Sequence, residues 1–200
     1  MSEDTFRTIK DQAESVFTEK RSRFLSFAHP VENVDEVRDI VKAYEKKYYD
    51  ARHVCYSYMI GADRAMFRAN DNGEPSGTAG RPILGQINSL ELTNVLVVVV
   101  RYFGGIKLGT SGLTAAYKQA ARDVLEKAGI KERTINMDLK VSFEYPFLSE
   151  VLRILRAEGA EVLSQEWNGD CAVTFRVRKG VIAALSQRLG KIQTLQFLED

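Results

Sequence analysis

The sequence has little cysteine: only Cys55 and Cys171 occur among its 200 residues. The two lie far apart in unlike contexts, which argues against a disulfide framework and against a zinc site. Unpaired thiols are typical of a reducing compartment. We therefore expect a cytoplasmic protein with no metal and no other cofactor.

The sequence also lacks an excess of one charge and a long apolar run. Its 28 Lys and Arg residues balance 27 Asp and Glu residues, which leaves a formal net charge of +1. A cationic site must therefore be a local patch rather than a property of the whole chain. The longest apolar run, Val95 to Val100, is too short to cross a bilayer, and the acidic first residues predict no secretory signal. We expect no membrane partner.

The hydrophobic pattern changes near residues 131–138, which predicts two domains of the α+β class, residues 1–133 and 138–200. In the first domain a hairpin is predicted around a charged centre at residues 19–23, and helical spacing predicts a helix from Val34 to Tyr48. The β-branched run that begins at Val95 predicts a central strand buried on both faces. A further helix is predicted from about Leu113 to Ala128, where Gly129 ends it.

The second domain is predicted to have the order β-α-β-β-α-β, which is the ferredoxin-like split motif. Asn168-Gly169-Asp170 predicts its hairpin, and residues 192–198 predict its last strand. Alternation places an apolar set that includes Tyr145 on one face of the sheet. The other face is polar and partly basic, with Lys140, Thr174 and Arg176. That face is either a binding surface for RNA or protein, or simply a solvated one.

A glycine-rich segment follows the central strand, from Gly104 to Gly112. A buried strand, a glycine-rich turn and a helix start together present backbone N–H groups to an anion. The spacing resembles a P-loop, but Thr110 replaces the expected lysine. Two interpretations stay open, a tight strand-to-helix turn or a site for phosphate at Gly109, Thr110, Ser111 and Gly112.

Two other clusters carry groups that could do chemistry. Residues 71–82 are rich in turn formers, so no regular element should cross them, and they contain Asp71 and Glu74. These carboxylates either take part in acid/base or metal chemistry, or belong to a rigid turn. His53 and Cys55 share one face of a strand, which permits a nucleophile with its base, although a buried structural cysteine is the more common case. No catalytic residue and no metal ligand is assigned.

Basic residues lie within or beside these clusters. If the fold gathers them, they form a local cationic site in an otherwise neutral chain; if not, they are solvated charges. Together with His53 they are Lys20, Arg23, Arg52, Arg81, Arg101 and Lys107.

Four blocks of the first domain resemble the signature of the IMPACT/YigZ family. They are KRSRF at residues 20–24, DARH at 50–53, DNGEPSGTAG at 71–80, and VVVRYFGG through LGTSGL at 98–113. The resemblance implies that the first domain is like domain IV of elongation factor G, a fold shared with ribosomal proteins and GHMP kinases. It implies that the second domain is like domain V of the same factor. Eukaryotic members regulate translation, and no catalytic residues come with the resemblance.

Two functions follow as hypotheses, and the sequence favours a binding protein over an enzyme. The first is a translation-associated regulatory protein that binds RNA or the ribosome through a cationic, glycine-rich cleft. The second is an enzyme or binder that takes a phosphorylated small molecule or nucleotide in the same cleft. A protein partner that docks on these clusters is a third candidate.

Overall fold

The computed structural model describes residues 4–168 and 170–198, in two compact units. The first unit is Phe6–Arg133, and the second contains the residues from Thr134 onward together with Asp4 and Thr5. The strands are β1 (Thr5–Ile9), β2 (Ala13–Glu19), β3 (Ser22–Pro30), β4 (His53–Ile60), β5 (Met66–Asn70), β6 (Val95–Tyr102), β7 (Ile130–Thr134), β8 (Asn136–Phe143), β9 (Glu161–Asn168), β10 (Asp170–Arg178) and β11 (Gln196–Leu198). The helices are α1 (Val34–Lys47), α2 (Gly80–Ser89), α3 (Gly109–Ala128), α4 (Leu148–Ala157) and α5 (Ile182–Leu189).

The first unit is built on a five-stranded sheet in the order β2-β3-β6-β4-β5, with each neighbouring pair antiparallel. Strand β6 lies at its centre, as the β-branched run predicts. Val97 and Val99 belong to the apolar cluster that contains α2 and α3, whereas Val98 and Val100 belong to the cluster that contains α1. All four are fully buried, so the prediction of a strand buried on both faces is confirmed.

Helix α1 begins and ends where its periodicity predicts. Val37 and Val41 are buried against the sheet, and the rest of the helix surface is largely charged. The Asn33 side chain accepts a hydrogen bond from the Glu36 N–H at 2.9 Å, and the Glu36 carboxylate accepts one from the Glu32 N–H at 2.8 Å. This reciprocal cap satisfies two amide groups at the helix start.

Helix α3 begins one turn earlier than predicted. Its first turn is made by residues 109–112, which were expected to be loop because glycine, serine and threonine are weak helix formers. Buried Leu113 and Tyr117 anchor the helix, so packing of its apolar face outweighs local propensity. Gly129 ends it with a φ of 66°, as predicted. The glycine-rich loop proper therefore covers residues 103–108.

Helix α2 also begins earlier, at Gly80, inside the stretch predicted to hold no regular element. Asp71 supplies the reason, although it lies nine positions before the helix. Its carboxylate accepts hydrogen bonds from the N–H groups of Ala79 at 3.0 Å and Gly80 at 2.8 Å. A carboxylate at this place satisfies amides that have no partner within the helix.

The predicted charged hairpin joins β2 to β3, and its register pairs Glu19 with Ser22. Its two turn residues, Lys20 and Arg21, have positive φ values of 45° and 68°. Gly104 packs directly against this turn, because a Cβ at Gly104 would lie 2.0 Å from the carbonyl carbon of Arg21. The hairpin thereby fixes the position of the loop at 103–108. Strand β1, which pairs with β7, was not predicted as a separate strand.

The second unit has a four-stranded antiparallel sheet in the order β11-β8-β10-β9, and α4 and α5 supply the helical part of its core. The elements follow the predicted order β-α-β-β-α-β. Two details were wrong: the last strand is only Gln196–Leu198, and Tyr145 lies in a short 3₁₀ turn with 69% of its surface exposed. The turn residue Gly169 lies outside the described residues.

Within the described ranges, no helix combines the length and the apolar character needed to cross a membrane.

Candidate functional site

The predicted clusters of the first unit meet at one end of its sheet. The register places Arg101, near the end of β6, opposite both Phe24 at the start of β3 and His53 at the start of β4. The loop at 103–108 continues from β6, and the loop at 71–79 contacts β4. Asn72 makes that second contact, because its side-chain oxygen accepts a hydrogen bond from the Val54 N–H at 3.3 Å.

These elements enclose a cleft of about 350 Å³. A volume of this size is within the range of small-molecule sites in proteins. The cleft is lined by Arg52, His53, Glu74, Pro75, Arg101, Phe103, Lys107, Leu108, Gly109, Thr110 and Leu113.

An ion pair between Arg101 and Glu74 lies at the inner end of the cleft. Nη1 of Arg101 donates to Oε1 of Glu74 at 2.7 Å, and only 8% and 3% of the two side chains is exposed. The guanidinium also lies 5.7 Å from the ring centroids of Phe24 and Phe103. Removal of either charge would leave the other buried without its partner.

Tyr117 and Cys55 complete the polar network behind this pair. The Tyr117 hydroxyl donates to Oε1 of Glu74 at 2.8 Å, and Sγ of Cys55 lies 3.4 Å from that hydroxyl and 2.9 Å from the Asp71 carbonyl oxygen. Burial raises the pKa of the Cys55 thiol to about 12. The thiol is therefore protonated at neutral pH, and the geometry does not support a thiolate nucleophile at this position.

His53 is oriented by the loop that carries Glu74. Its Nδ1 lies 2.8 Å from the carbonyl oxygen of Asn72. Because a carbonyl can only accept, Nδ1 carries the proton, and in the neutral ring Nε2 keeps a free lone pair. That Nε2 lies 3.9 Å from Oε2 of Glu74, which is too far for a hydrogen bond. While the His53 ring is neutral, the inner end of the cleft thus presents two acceptor atoms close together.

Asp71 does not line the cleft but organises the loop beside it. Besides Ala79 and Gly80, the Gly77 N–H donates to its carboxylate, at 2.8 Å. Burial opposes ionisation of Asp71, but these three amides outweigh it and hold its pKa below the ordinary value. The structure therefore gives Asp71 a role in loop geometry. No group of three or more potential metal-ligating side chains occurs among residues 4–168 and 170–198.

The outer part of the cleft is positively polarised. Arg52 and Lys107 are exposed, and for the part of the chain described neither forms an ion pair. The first turn of α3 has no side-chain cap among the described residues, so the N–H groups at 109–111, which precede the first intrahelical hydrogen bond, have no capping partner. Two cations and a helix start at one opening are an arrangement that attracts anions.

The structure brings together about half of the predicted site residues. Those that line the cleft are Arg52, His53, Glu74, Arg101, Lys107, Gly109 and Thr110. Ser111 lies in the same helical turn but outside the lining, and Lys20 and Gly112 line a neighbouring groove that shares Leu108 with the cleft. Arg81 lies in the first turn of α2 and is not part of the cleft lining; its charge helps to lower the pKa of Asp71.

Arg23 is placed on the opposite face of the sheet. Along β3 it precedes Phe24, which packs in the cluster with α3, and it pairs with Tyr102, which packs against the cluster with α1. Successive strand residues point to opposite faces, so Arg23 points away from the cleft.

Sequence reasoning missed the apolar and aromatic members of the site. Phe103 is 49% exposed and lines the cleft, and Tyr117 donates to Glu74 from a position 43 residues away in the chain. The signal for Phe103 was present, because it lies inside the block VVVRYFGG, directly after Arg101 and Tyr102. The role of Tyr117 depends on how α3 packs, which no local pattern displays.

The comparisons with known proteins agree with the resemblance of the four blocks. Residues 20–125 match the family model described as Impact N-terminal domain. The chain belongs to the IMPACT family. The IMPACT family member YvyE of Bacillus subtilis is 35% identical over 152 residues, which is 76% of this chain and 70% of that protein. The IMPACT family member YigZ of Escherichia coli is 28% identical over 187 residues, 90% of this chain and 92% of that protein.

A solved structure of similar fold also covers the whole length. The crystal structure of a hypothetical protein matches with a TM-score of 0.75 and 26% sequence identity, over 98% of each chain. The matched IMPACT-family region contains every residue that lines the cleft.

Proposed function

We propose that this chain is a translation-associated binding protein that holds the phosphate groups of RNA, free or in the ribosome, at the outer part of the cleft. One observation supports the proposal more than any other. One opening of the cleft holds Arg52, Lys107 and the uncapped first turn of α3, although the chain as a whole has a formal net charge of only +1. Phosphate contacts by basic side chains dominate the affinity of proteins for nucleic acids.

The translation context comes from the family. The resemblance implies a first domain like domain IV of elongation factor G and a second domain like domain V, and eukaryotic members of the family regulate translation. This finer likeness is part of the proposal. Fold alone does not fix function, so the experiment must address the site itself.

The experiment is a salt titration of RNA binding by the double variant Arg52→Glu/Lys107→Glu. Binding of single-stranded RNA should be strongest at low salt. The slope of log K against log salt is negative, and each lost phosphate contact should reduce its magnitude by about 0.7, so the double variant should reduce it by about 1.4. Both side chains are exposed, so their reversal should leave the fold intact.

Lys118→Glu is a matched control. Lys118 is an exposed residue of α3, nine positions beyond Gly109, so it lies about 13.5 Å along the helix axis from the start of α3, where the phosphate is proposed to bind. At physiological salt that distance exceeds the Debye length of about 8 Å, so the control is compared with Lys107→Glu at that salt. The control should bind like the wild type. Equal weakening by the control and by Lys107→Glu, or no binding by the wild type at low salt, would contradict the proposal.

A second candidate is a binder of a phosphorylated small molecule. The observation that favours it is the buried network of Glu74, Arg101 and Tyr117 at the inner end of a cleft of about 350 Å³. Enclosed sites with a few converging polar groups are typical of small-ligand pockets. It predicts that a phosphorylated metabolite raises the Tm of the first unit, and that inorganic phosphate alone does so less.

A further inference from the structure

The cleft contains an exposed aromatic surface that an anion site does not need. Phe103 is 49% exposed although it lines a concave site. Its ring centroid lies 5.7 Å from the guanidinium of Arg101, which Glu74 holds in place. An aromatic ring fixed beside an arginine is a surface on which a flat ring system stacks, and nucleobases are the common example.

The remaining walls of the cleft suit a flat apolar body as well. Pro75, Leu108 and Leu113 line the same space as Phe103. Leu108 and Leu113 are themselves buried, but a phosphate group or a sugar alone would leave the exposed side chains of Phe103 and Pro75 in contact with water. A ligand that carries a ring would instead cover them, which is favourable by the hydrophobic effect.

The inner end of the cleft offers acceptor atoms to a ligand that carries a hydrogen-bond donor. Nε2 of His53 and Oε2 of Glu74 lie 3.9 Å apart. Oε2 accepts no hydrogen bond from the described residues, because both bonds to this carboxylate end on Oε1. One amino group placed between the two atoms could donate to both, and the exocyclic amino group of adenine is such a donor.

We infer that the cleft takes one unstacked nucleotide, either free or within single-stranded RNA. The base stacks on Phe103 and donates from its amino group to His53 and Glu74. The phosphate lies at the opening, between Lys107, Arg52 and the first turn of α3. This inference rests on the proposed function, since it specifies what the cationic opening binds. Duplex RNA should bind less well, because its bases are stacked and their donor edges are engaged in pairing.

The experiment measures binding of a labelled oligoadenylate of about 12 nucleotides by fluorescence anisotropy, with the full chain. The wild type is compared with Phe103→Ala, with Lys107→Glu and with the control Phe67→Ala. Phe67 is 60% exposed on the edge strand β5 and does not line the cleft, so the control removes a similar ring from elsewhere. We expect Phe103→Ala to weaken binding about fivefold or more. The control should leave the affinity unchanged, and thermal unfolding checks that all three variants fold.

Two further arms identify the source of the nucleotide. The same strand annealed to oligouridylate should bind more weakly than the single strand. Adenosine monophosphate should displace the labelled strand if a free nucleotide also fills the cleft, whereas inorganic phosphate at the same concentration should displace less. Displacement by both anions to the same extent would overturn the role of the base.

The outcomes separate this inference from the proposed function. If Lys107→Glu weakens binding and Phe103→Ala does not, the cationic site stands and the nucleotide inference is wrong. If the duplex and the single strand bind equally well, the inference is wrong in the same way. If the wild type binds no strand at low salt, the proposed function itself fails.

Discussion

The two units both carry basic side chains on an exposed surface, but they neutralise them differently. On the polar face of the second unit's sheet, Arg176 donates to both oxygens of Asp138, at 2.7 and 2.8 Å, and Lys140 donates to Glu166 at 3.2 Å. At the opening of the cleft in the first unit, Arg52 and Lys107 have no acidic partner among the described residues. The number of basic residues is thus a poor guide to where an anion binds. Whether each basic residue already has an acidic partner is a better guide.

The comparison favours the first unit as the anion site. Paired charges on an exposed sheet attract a polyanion weakly, because each contact with phosphate must compete with an existing ion pair. The unpaired cations of the first unit gain an electrostatic partner without that loss. This explains in physical terms why a sheet face with Lys140 and Arg176 can remain simply solvated.

The acidic partners in the two units differ in how deeply they are buried. The largest expected effect of a substitution on stability follows from that difference. Glu74 is 3% exposed and pairs with a buried arginine, whereas Glu166 is 51% exposed. Glu74→Ala should lower the free energy of unfolding of the first unit by about 3–5 kcal/mol, because Arg101 would be left as a buried, uncompensated charge. Glu166→Ala should lower that of the second unit by less than about 1 kcal/mol.

Urea denaturation can follow the two units by different signals. The single tryptophan, Trp167, lies in the second unit, so its fluorescence reports that unit, whereas far-ultraviolet circular dichroism reports both. If the two variants lose similar amounts of unfolding free energy, the Arg101–Glu74 pair contributes no more to stability than a surface pair does.

A smaller expected effect is the dependence of stability on pH in the first unit. That unit contains both histidines, His29 and His53. His29 is buried, its Nε2 lies 2.9 Å from the Tyr44 hydroxyl, and burial lowers its pKa from the ordinary 6.5. Below pH 6.5 the unfolded chain therefore takes up a proton that the folded chain does not, so stability is lost as pH falls from that value. The slope from one such group is at most about 1.4 kcal/mol per pH unit.

His29→Gln should flatten this dependence in the first unit and leave the second unit unchanged. The measurement is urea denaturation at a series of pH values between about 7 and 5, a range in which histidine is the side chain that ordinarily titrates. A variant with the same slope as the wild type would show that His29 is not the responsible group.

Much of the fold could be predicted from the sequence because its elements are strongly patterned. The run at Val95–Val100, the periodicity of α1 and the order of the second unit follow from hydrophobic spacing, and the structure agrees. Local helix propensity predicted the wrong helix starts where tertiary contacts decide them. Helix α3 includes Gly109 and Gly112 because Leu113 and Tyr117 are buried, and α2 starts at Gly80 because Asp71 caps it from nine residues away.

The candidate site was predictable only in outline. The motif blocks identified Arg52, His53, Glu74, Arg101 and Lys107, which all line the cleft. The face on which Arg23 lies depends on strand register, and the contact between Tyr117 and Glu74 depends on helix packing. Neither can be derived from the spacing of residues along the chain. The exposure of Phe103, on which the nucleotide inference depends, is likewise a property of the folded loop.

We propose that anions bind in the first unit's cleft and not on the second unit's sheet, and one measurement tests this proposal most directly. Single-stranded oligoadenylate is titrated into isotopically labelled protein at low salt while backbone amide shifts are recorded. We expect shifts at residues 52–53, 73–74 and 103–113, with the largest in the first turn of α3. Strands β8 and β10 should remain unchanged. Shifts concentrated around Lys140, Thr174 and Arg176, with none at Gly109 and Thr110, would contradict the account.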